Sequence, residues 1–373
     1  MLHHHHQRHR PDRALSMVRR YGPALAVLVL VILMGGGLWW YKHAQPVATT
    51  LPPSPYGLTA VEQQTVLDYF AAASARGDFE VTASTLHRWL LDKKPVLLID
   101  VRQPYGPDGF DQGHIPGAVN IPLQLFGQEL LAAAGKTHPG ATVQGQTAPI
   151  NFFRLPRNEP IVVMCYDGDG GEMTPALLRL LGYQAFGLRW GVAGWNQILD
   201  VWPNPAFVAP FPVARGASTL RLATAPSGPY QLGPAFAPAL AAFYNNLNRV
   251  YPPGYGRPWT ISAAQLYSEL RAPDPPVVVD LRSPSAYAAG HIPGSLNIPF
   301  QDLGGNLNAL PGVSRKIVLV SATLQASAQA CAILRILGYR AYVLKQGLAT
   351  WNPQFPPPAN LPHYPLVMGA GPQ

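Results

Sequence analysis

Cysteine is scarce in this chain. Only Cys165 and Cys331 occur among 373 residues, so at most one disulfide is available and a small disulfide-stapled scaffold is excluded; free thiols are the expected state. Charge is scarce as well, at 12% of residues, and no run of Lys and Arg interleaves with aromatics, which removes the usual ground for a nucleic-acid groove. The formal excess of +8 sits mostly at the front, where Arg8, Arg10, Arg13, Arg19, Arg20 and Lys42 face only Asp12, leaving a weakly basic body. What abounds is proline (41) and glycine (35), which predict many loops, beside an apolar content of 48% that fits globular cores. A chain of this length is expected to hold two domains.

Charge is missing altogether from Tyr21 to Tyr41, YGPALAVLVLVILMGGGLWWY, and as a helix this stretch would reach about 30 Å, the thickness of a bilayer core. Pro23 falls in the first turn, where its missing N–H is harmless. Tyr21, Trp39, Trp40 and Tyr41 stand where interfacial aromatics belong, and the basic residues ahead predict a cytoplasmic N-terminus. The expectation is a basic tail at 1–20, a single-pass transmembrane helix at 21–41 and a linker at 42–57, with the body on the periplasmic side of a bacterial inner membrane. The competing reading is a cleaved signal peptide, but no good small-x-small site follows Tyr41. The histidines His3 to His6 read as a tail or tag rather than a metal site.

The chain is also written twice. VTASTLHRWL at 81–90 aligns with ISAAQLYSEL at 261–270, and VLLIDVR at 96–102 with PVVVDLR at 276–282, both at a shift of 180. GHIPGAVNIPL at 113–123 pairs with GHIPGSLNIPF at 290–300 at a shift of 177, so QPYGPDGFDQ in copy one holds three extra residues. IVVMC at 161–165 then pairs with IVLVS at 317–321 at 156, and this shift persists through LLGY/ILGY to GVAGWN/GLATWN. The drop places a 21-residue insertion within about 124–159 of copy one. Each copy alternates a helix capped by Thr82 or Ser262, apolar strands, and a helix between the third and last strands. Apolar strands separated by helices predict α/β three-layer domains with parallel sheets. The boundaries expected are 58–202 for domain one, 203–233 for a Pro/Gly/Ala-rich connector, 234–354 for domain two and 355–373 for a Pro-rich tail. Helices near 59–75 and 234–250 are expected to pack each on the copy it precedes.

The strings DVR, GHIPGAVNIPL, the strand ending in Cys165, the helix ending in LGY, and GVAGWN resemble the rhodanese family of sulfurtransferases, over about residues 80–202 and 258–354. The resemblance implies two tandem rhodanese-like domains. It further implies that Cys165 accepts sulfur from a small donor or a protein persulfide, holds it as a persulfide and passes it to a thiol or other thiophilic acceptor, with no cofactor and no metal. Copy two has Ser321 at that position, and a hydroxyl lacks the acidity and polarizability to carry sulfur. Copy two is therefore expected to be inert. What both copies share then reads as structural: His114 and His291, Asp100 with Arg102, Asp280 with Arg282, and Trp195 with Trp351. Cys331 reads as a small buried helix residue.

A working cysteine attacks as thiolate, so its anion must be stabilised. In CYDGDGGEMTP the backbone N–H groups of Tyr166, Asp167, Gly168, Asp169, Gly170, Gly171 and Glu172 are the candidate cradle, with a helix expected from Thr174 and Pro175 in its first turn. The loop lacks any basic residue before Arg179, while Asp167, Asp169 and Glu172 are acidic. A carboxylate at roughly 6–8 Å opposes the anion by about 0.5–1.4 kcal/mol in a polar surround. Thiosulfate, a dianion, would then need Arg154, Arg157 or Arg189 folded over the site; a neutral or cationic donor fits better. A phosphatase would require Arg six residues past the cysteine, where Gly171 stands. No second Cys or His lies in the loop to complete a metal site. The reading from a different class is a non-catalytic module that binds an envelope protein, through the insertion of copy one.

Overall fold

The computed structural model describes residues 51–123, 125–127, 142–143, 146–147, 155–199, 212–218, 220, 222, 230–249, 259–357, 359, 362 and 364–365. Its apolar runs become the central strands of two parallel sheets. Copy one contains β1 (Glu80–Val81), β2 (Leu97–Asp100), β3 (Val119–Asn120), the antiparallel hairpin of β4 (Thr142–Val143) with β5 (Gln146–Thr147) inside the insertion, β6 (Ile161–Met164) and β7 (Ala185–Leu188). Copy two contains β8 (Thr260–Ile261), β9 (Val277–Asp280), β10 (Leu296–Asn297), β11 (Ile317–Val320) and β12 (Ala341–Leu344). The sheets run β1-β7-β6-β2-β3 and β8-β12-β11-β9-β10, the same order in both copies. The edge strands β1 and β8 are two residues each, too short to show a pattern in the sequence.

The helices are α1 (Ala60–Leu67), α2 (Tyr69–Ser74), α3 (Ala83–Leu91), α4 (Asp169–Leu180), α5 (Ala237–Arg249), α6 (Ala263–Glu269), α7 (Pro284–Ala289) and α8 (Gln325–Ile336). Thr82 and Ser262 cap α3 and α6 as expected, their hydroxyls accepting the N–H of Thr85 and Gln265. The three extra residues of copy one fall where copy two has α7; copy one has only the 3-10 turn Phe110–Gln112 there. One expectation is corrected: α4 begins at Asp169, not Thr174, so Pro175 lies inside it. Gly168, at φ +107°, turns the chain, and Gly171 brings the first helical turn against the end of β6, where a Cβ would come within 2.8 Å of the Cys165 nitrogen.

Alternation along β6 divides the core. Val162 and Met164 face outward to Leu86, Val192 and Trp195, and Val278, Val318 and Val320 do the same in copy two against Leu266, Leu348 and Trp351. Ile161, Val163 and Cys165 face inward, where α4 packs along α8, and the inner cores of both copies merge into one cluster. Both copies lie in one compact unit, 48–373.

The flanking helices go beyond a second expectation: Tyr69 of α2 does meet Phe79 of its own copy at 5.5 Å, but both segments also reach the other copy. Gly304 of copy two lies so close to the Leu67 carbonyl that a Cβ there would meet it, and Phe70 of α2 packs edge-on against Phe300 at 5.3 Å. Tyr244 of α5 packs on Phe126 at 5.3 Å and against Gly127 of copy one. The shared polar residues make the same contacts in both copies. Arg102 and Arg282 pair with Asp100 and Asp280 at 2.7 and 2.6 Å, while His114 and His291 stack on Phe110 and Tyr287.

No helix among the described residues is long and apolar enough to cross a membrane. The tail 1–20 with His3 to His6, the span 21–41, the linker to residue 50, most of the insertion and Arg154 lie outside the described residues.

Candidate active site

Cys165 follows β6, a strand flanked by β2 and β7, so its side chain emerges at the carboxyl edge of a parallel sheet, where such folds place their sites. It is 1% exposed and in no disulfide. Its sulfur accepts the N–H of Gly168 at 3.2 Å, and its thiol points to Asp167 Oδ1 at 3.9 Å. The backbone around it is pinned from the GVAG turn, a 3-10 turn over Gly191–Gly194: Val192 N–H donates to the Cys165 carbonyl and Ala193 N–H to the Tyr166 carbonyl, both at 2.9 Å. Gly191, at φ +60°, is required there, since a Cβ would come within 2.4 Å of the Cys165 oxygen.

The nominated cradle is brought together only in part. Gly168 places its N–H on the sulfur. Asp169 N–H turns to the Asp167 carboxylate at 3.4 Å, and Glu172 N–H closes the first turn of α4 on the Gly168 carbonyl at 2.9 Å. Gly170 and Gly171 are buried in the first turn of α4.

The acids separate as well. Asp167 stays at the sulfur. Asp169 Oδ1 accepts the indole N–H of Trp259 at 3.0 Å, and Glu172 Oε2 accepts the Gln329 amide at 2.9 Å; both donors belong to copy two. Glu172 is fully buried, lies over Gly187, and has no partner for Oε1. Burial above all, and then the neighbouring Glu80 carboxylate, hold its carboxyl well above the usual carboxylate range. The expectation of three acids around the thiolate changes at one of them: the Glu172 carboxyl lies in the shared core, over Gly187 and against Gln329 of copy two.

The two described arginines are engaged elsewhere. Arg157 donates to the Leu181 carbonyl at 3.2 Å, at the far end of α4. Arg189 pairs with the buried Glu80 at 2.6 Å. Cys331 is fully buried, and burial pushes its thiol up to about 11. In copy two the Ser321 hydroxyl is taken up by its own loop, donating to the Thr323 carbonyl and meeting Ser327, both at 3.0 Å.

Three contributors lie outside the nominated loop. Gly191 had a signal, a glycine opening the GxxxWN string in both copies. Gln325 and Trp259 had none, since the packing of α8 on α4 carries Gln325 to the copy-one loop and the start of β8 carries Trp259.

Two parallel sheets of one strand order, with a thiol loop at the end of the central strand of the first, define a tandem α/β protein. The chain belongs to the rhodanese-like domain family, which it matches over residues 82–198 and 262–354, more than half its length. It is similar to a rhodanese-related protein of Thermoplasma volcanium, at 28% identity over 29% of this chain and 97% of that one, with a TM-score of 0.24. A rhodanese-like domain from Anabaena is 31% identical over 28% of this chain and 88% of that one, with a TM-score of 0.23. A thiosulfate sulfurtransferase from Pseudomonas aeruginosa is 15% identical over 83% of this chain and 70% of that one, with a TM-score of 0.25. No curated protein matches the sequence.

Proposed function

We propose that this protein is a membrane-tethered sulfurtransferase in which Cys165 carries sulfur as a persulfide. The observation that carries the reading is the Gly168 N–H held on Cys165 Sγ at 3.2 Å, a contact that favours thiolate over thiol. In the loading step the thiolate attacks the outer sulfur of a donor RS–SH, so that Cys165 becomes Cys–S–SH and RS⁻ leaves. In the unloading step an acceptor such as cyanide takes that sulfur, giving thiocyanate and restoring the thiol. With Arg157 and Arg189 engaged elsewhere, a neutral thiol persulfide suits the loop better than thiosulfate. Residues 21–41 are the proposed anchor and the periplasm the proposed compartment, which alkaline extraction of membranes would test.

The test is thiocyanate formation by the full chain in mild detergent, with a small thiol persulfide and with thiosulfate as donors. Wild type is expected to turn over with the persulfide, and Cys165→Ala to lose that turnover. Equal rates in the two proteins remove the enzymatic reading.

A second reading has one observation in its favour: Cys165 is 1% exposed. On that reading the two copies form a non-catalytic module for an envelope protein. Cys165→Ser would then leave the biological role intact, while deletion of residues 127–156 would abolish it.

A further inference from the structure

Copy two, which lacks the cysteine, holds the copy-one loop at three places. Trp259 takes Asp169, Gln329 takes Glu172, and Gln325, the first residue of α8, donates from Nε2 to the Asp167 carbonyl at 3.4 Å. The third contact bears on the chemistry. The carbonyl of Asp167 and the N–H of Gly168 belong to one peptide unit, which is planar, so its carbonyl and N–H point in opposite directions. Fixing one end of that unit aims the other. The aimed end is the N–H that meets Cys165 Sγ at 3.2 Å.

The direction of the Gln325 amide is set by its own loop. Its Oε1 accepts the Leu324 N–H at 3.3 Å and the hydroxyl of Thr323, which leaves Nε2 as the end facing copy one. Gln325 is 4% exposed, and its Nε2 lies 2.8 Å from where a Cβ on Gly168 would stand, so the amide is seated directly on the turn. A hydrogen bond received by the carbonyl also polarises the peptide and strengthens the donor at its other end.

We propose that Gln325 is a positioning residue for Cys165, contributed by the copy without a carrier cysteine: it holds the Asp167–Gly168 peptide so that its N–H stabilises the sulfur anion. The inference rests on Cys165 being the reactive thiol. It also gives a chemical role to a copy whose own loop cannot carry sulfur.

The test is the pH dependence of Cys165 alkylation by iodoacetamide in the full chain in mild detergent, read as the mass of the labelled peptide. It covers about pH 5 to about pH 10, across the ordinary thiol range. Gln325→Met keeps the length and apolar bulk while removing both hydrogen-bonding ends. It is expected to raise the midpoint of the profile and slow labelling at neutral pH by about threefold or more, the size of one hydrogen bond. Gln325→Glu, which keeps the shape and loses the donor, is expected to move the midpoint the same way. A Met profile superimposable on wild type overturns the inference, as does a wild-type sulfur that takes no label at any pH. Loss of cooperative melting in both variants also overturns it, because Gln325 would then serve the fold alone. A shifted profile without thiocyanate turnover supports the inference and removes the sulfurtransferase reading. Turnover with an unshifted profile does the reverse.

Discussion

Glu172 is seven residues from Cys165 in sequence, yet its carboxyl sits against Gln329 of copy two and over Gly187. Its environment holds two further carboxyls, Glu80 and Asp78, the Arg189 guanidinium paired with Glu80, and the Gln329 amide from α8. Burial raises Glu80 against the opposing pull of Arg189, and burial raises Asp78 as well. A carboxyl whose affinity for a proton is raised by burial makes folding take up a proton wherever the unfolded chain would have lost it. Stability then falls as pH climbs above the ordinary value of 4.5, and the fall ends only past the raised value. Glu172→Gln keeps the acceptor for Gln329 and removes the ionisation. It is expected to flatten that decline and raise Tm at neutral pH, as measured by thermal melts across pH; an unchanged slope contradicts the assignment.

At the scale of elements, the segment after each copy clamps the other copy. After copy one, Pro212 accepts the Trp351 indole N–H at 2.9 Å, and Ala214 forms a bridge with His291. After copy two, Pro365 accepts the Trp195 indole N–H at 2.8 Å, Pro362 accepts the Gln197 N–H at 2.9 Å, and Tyr364 stacks on His87 at 4.1 Å. The shared tryptophans thus hold a strap besides filling a core. Truncation after residue 357 is expected to cost about 1–4 kcal/mol, by the usual net worth of a few hydrogen bonds. Chemical denaturation measures the loss, and hydrogen exchange should rise around α3 and the Trp195 turn rather than in copy two. Even protection changes across both copies would contradict a local clamp.

At the scale of the molecule, the repeat does not make two separable domains. The inner face of α4, with Met173, Leu177 and Leu180, is buried in a core shared with Ala328, Ile333 and Leu334 of α8. Each large apolar side chain on such a face is worth about 1.5–3 kcal/mol of burial. Copy one alone, residues 58–202, would expose that face and lack α5, the tail strap and the Gln325 contact. It is expected to show no cooperative unfolding and to aggregate on gel filtration, and co-expression with residues 203–373 is expected to restore a soluble pair. A monomer that melts cooperatively by itself would refute the shared core as the source of stability.

Local pattern was enough for much of this protein. The repeat, the central strands, the caps at Thr82 and Ser262, the parallel sheets and the place of Cys165 at a strand end all follow from periodicity and from comparing the chain with itself. So does the replacement of the strand-end cysteine by Ser321 in copy two. Only the tertiary structure decided which amide meets the sulfur, where Glu172 points, which copy each flanking helix covers, and that α4 starts at Asp169. The physical reason is range: strands and caps are set by neighbours a few residues away. Gln325 and Asp167, by contrast, are brought together across 158 positions by one helix packing on another, which no short pattern encodes.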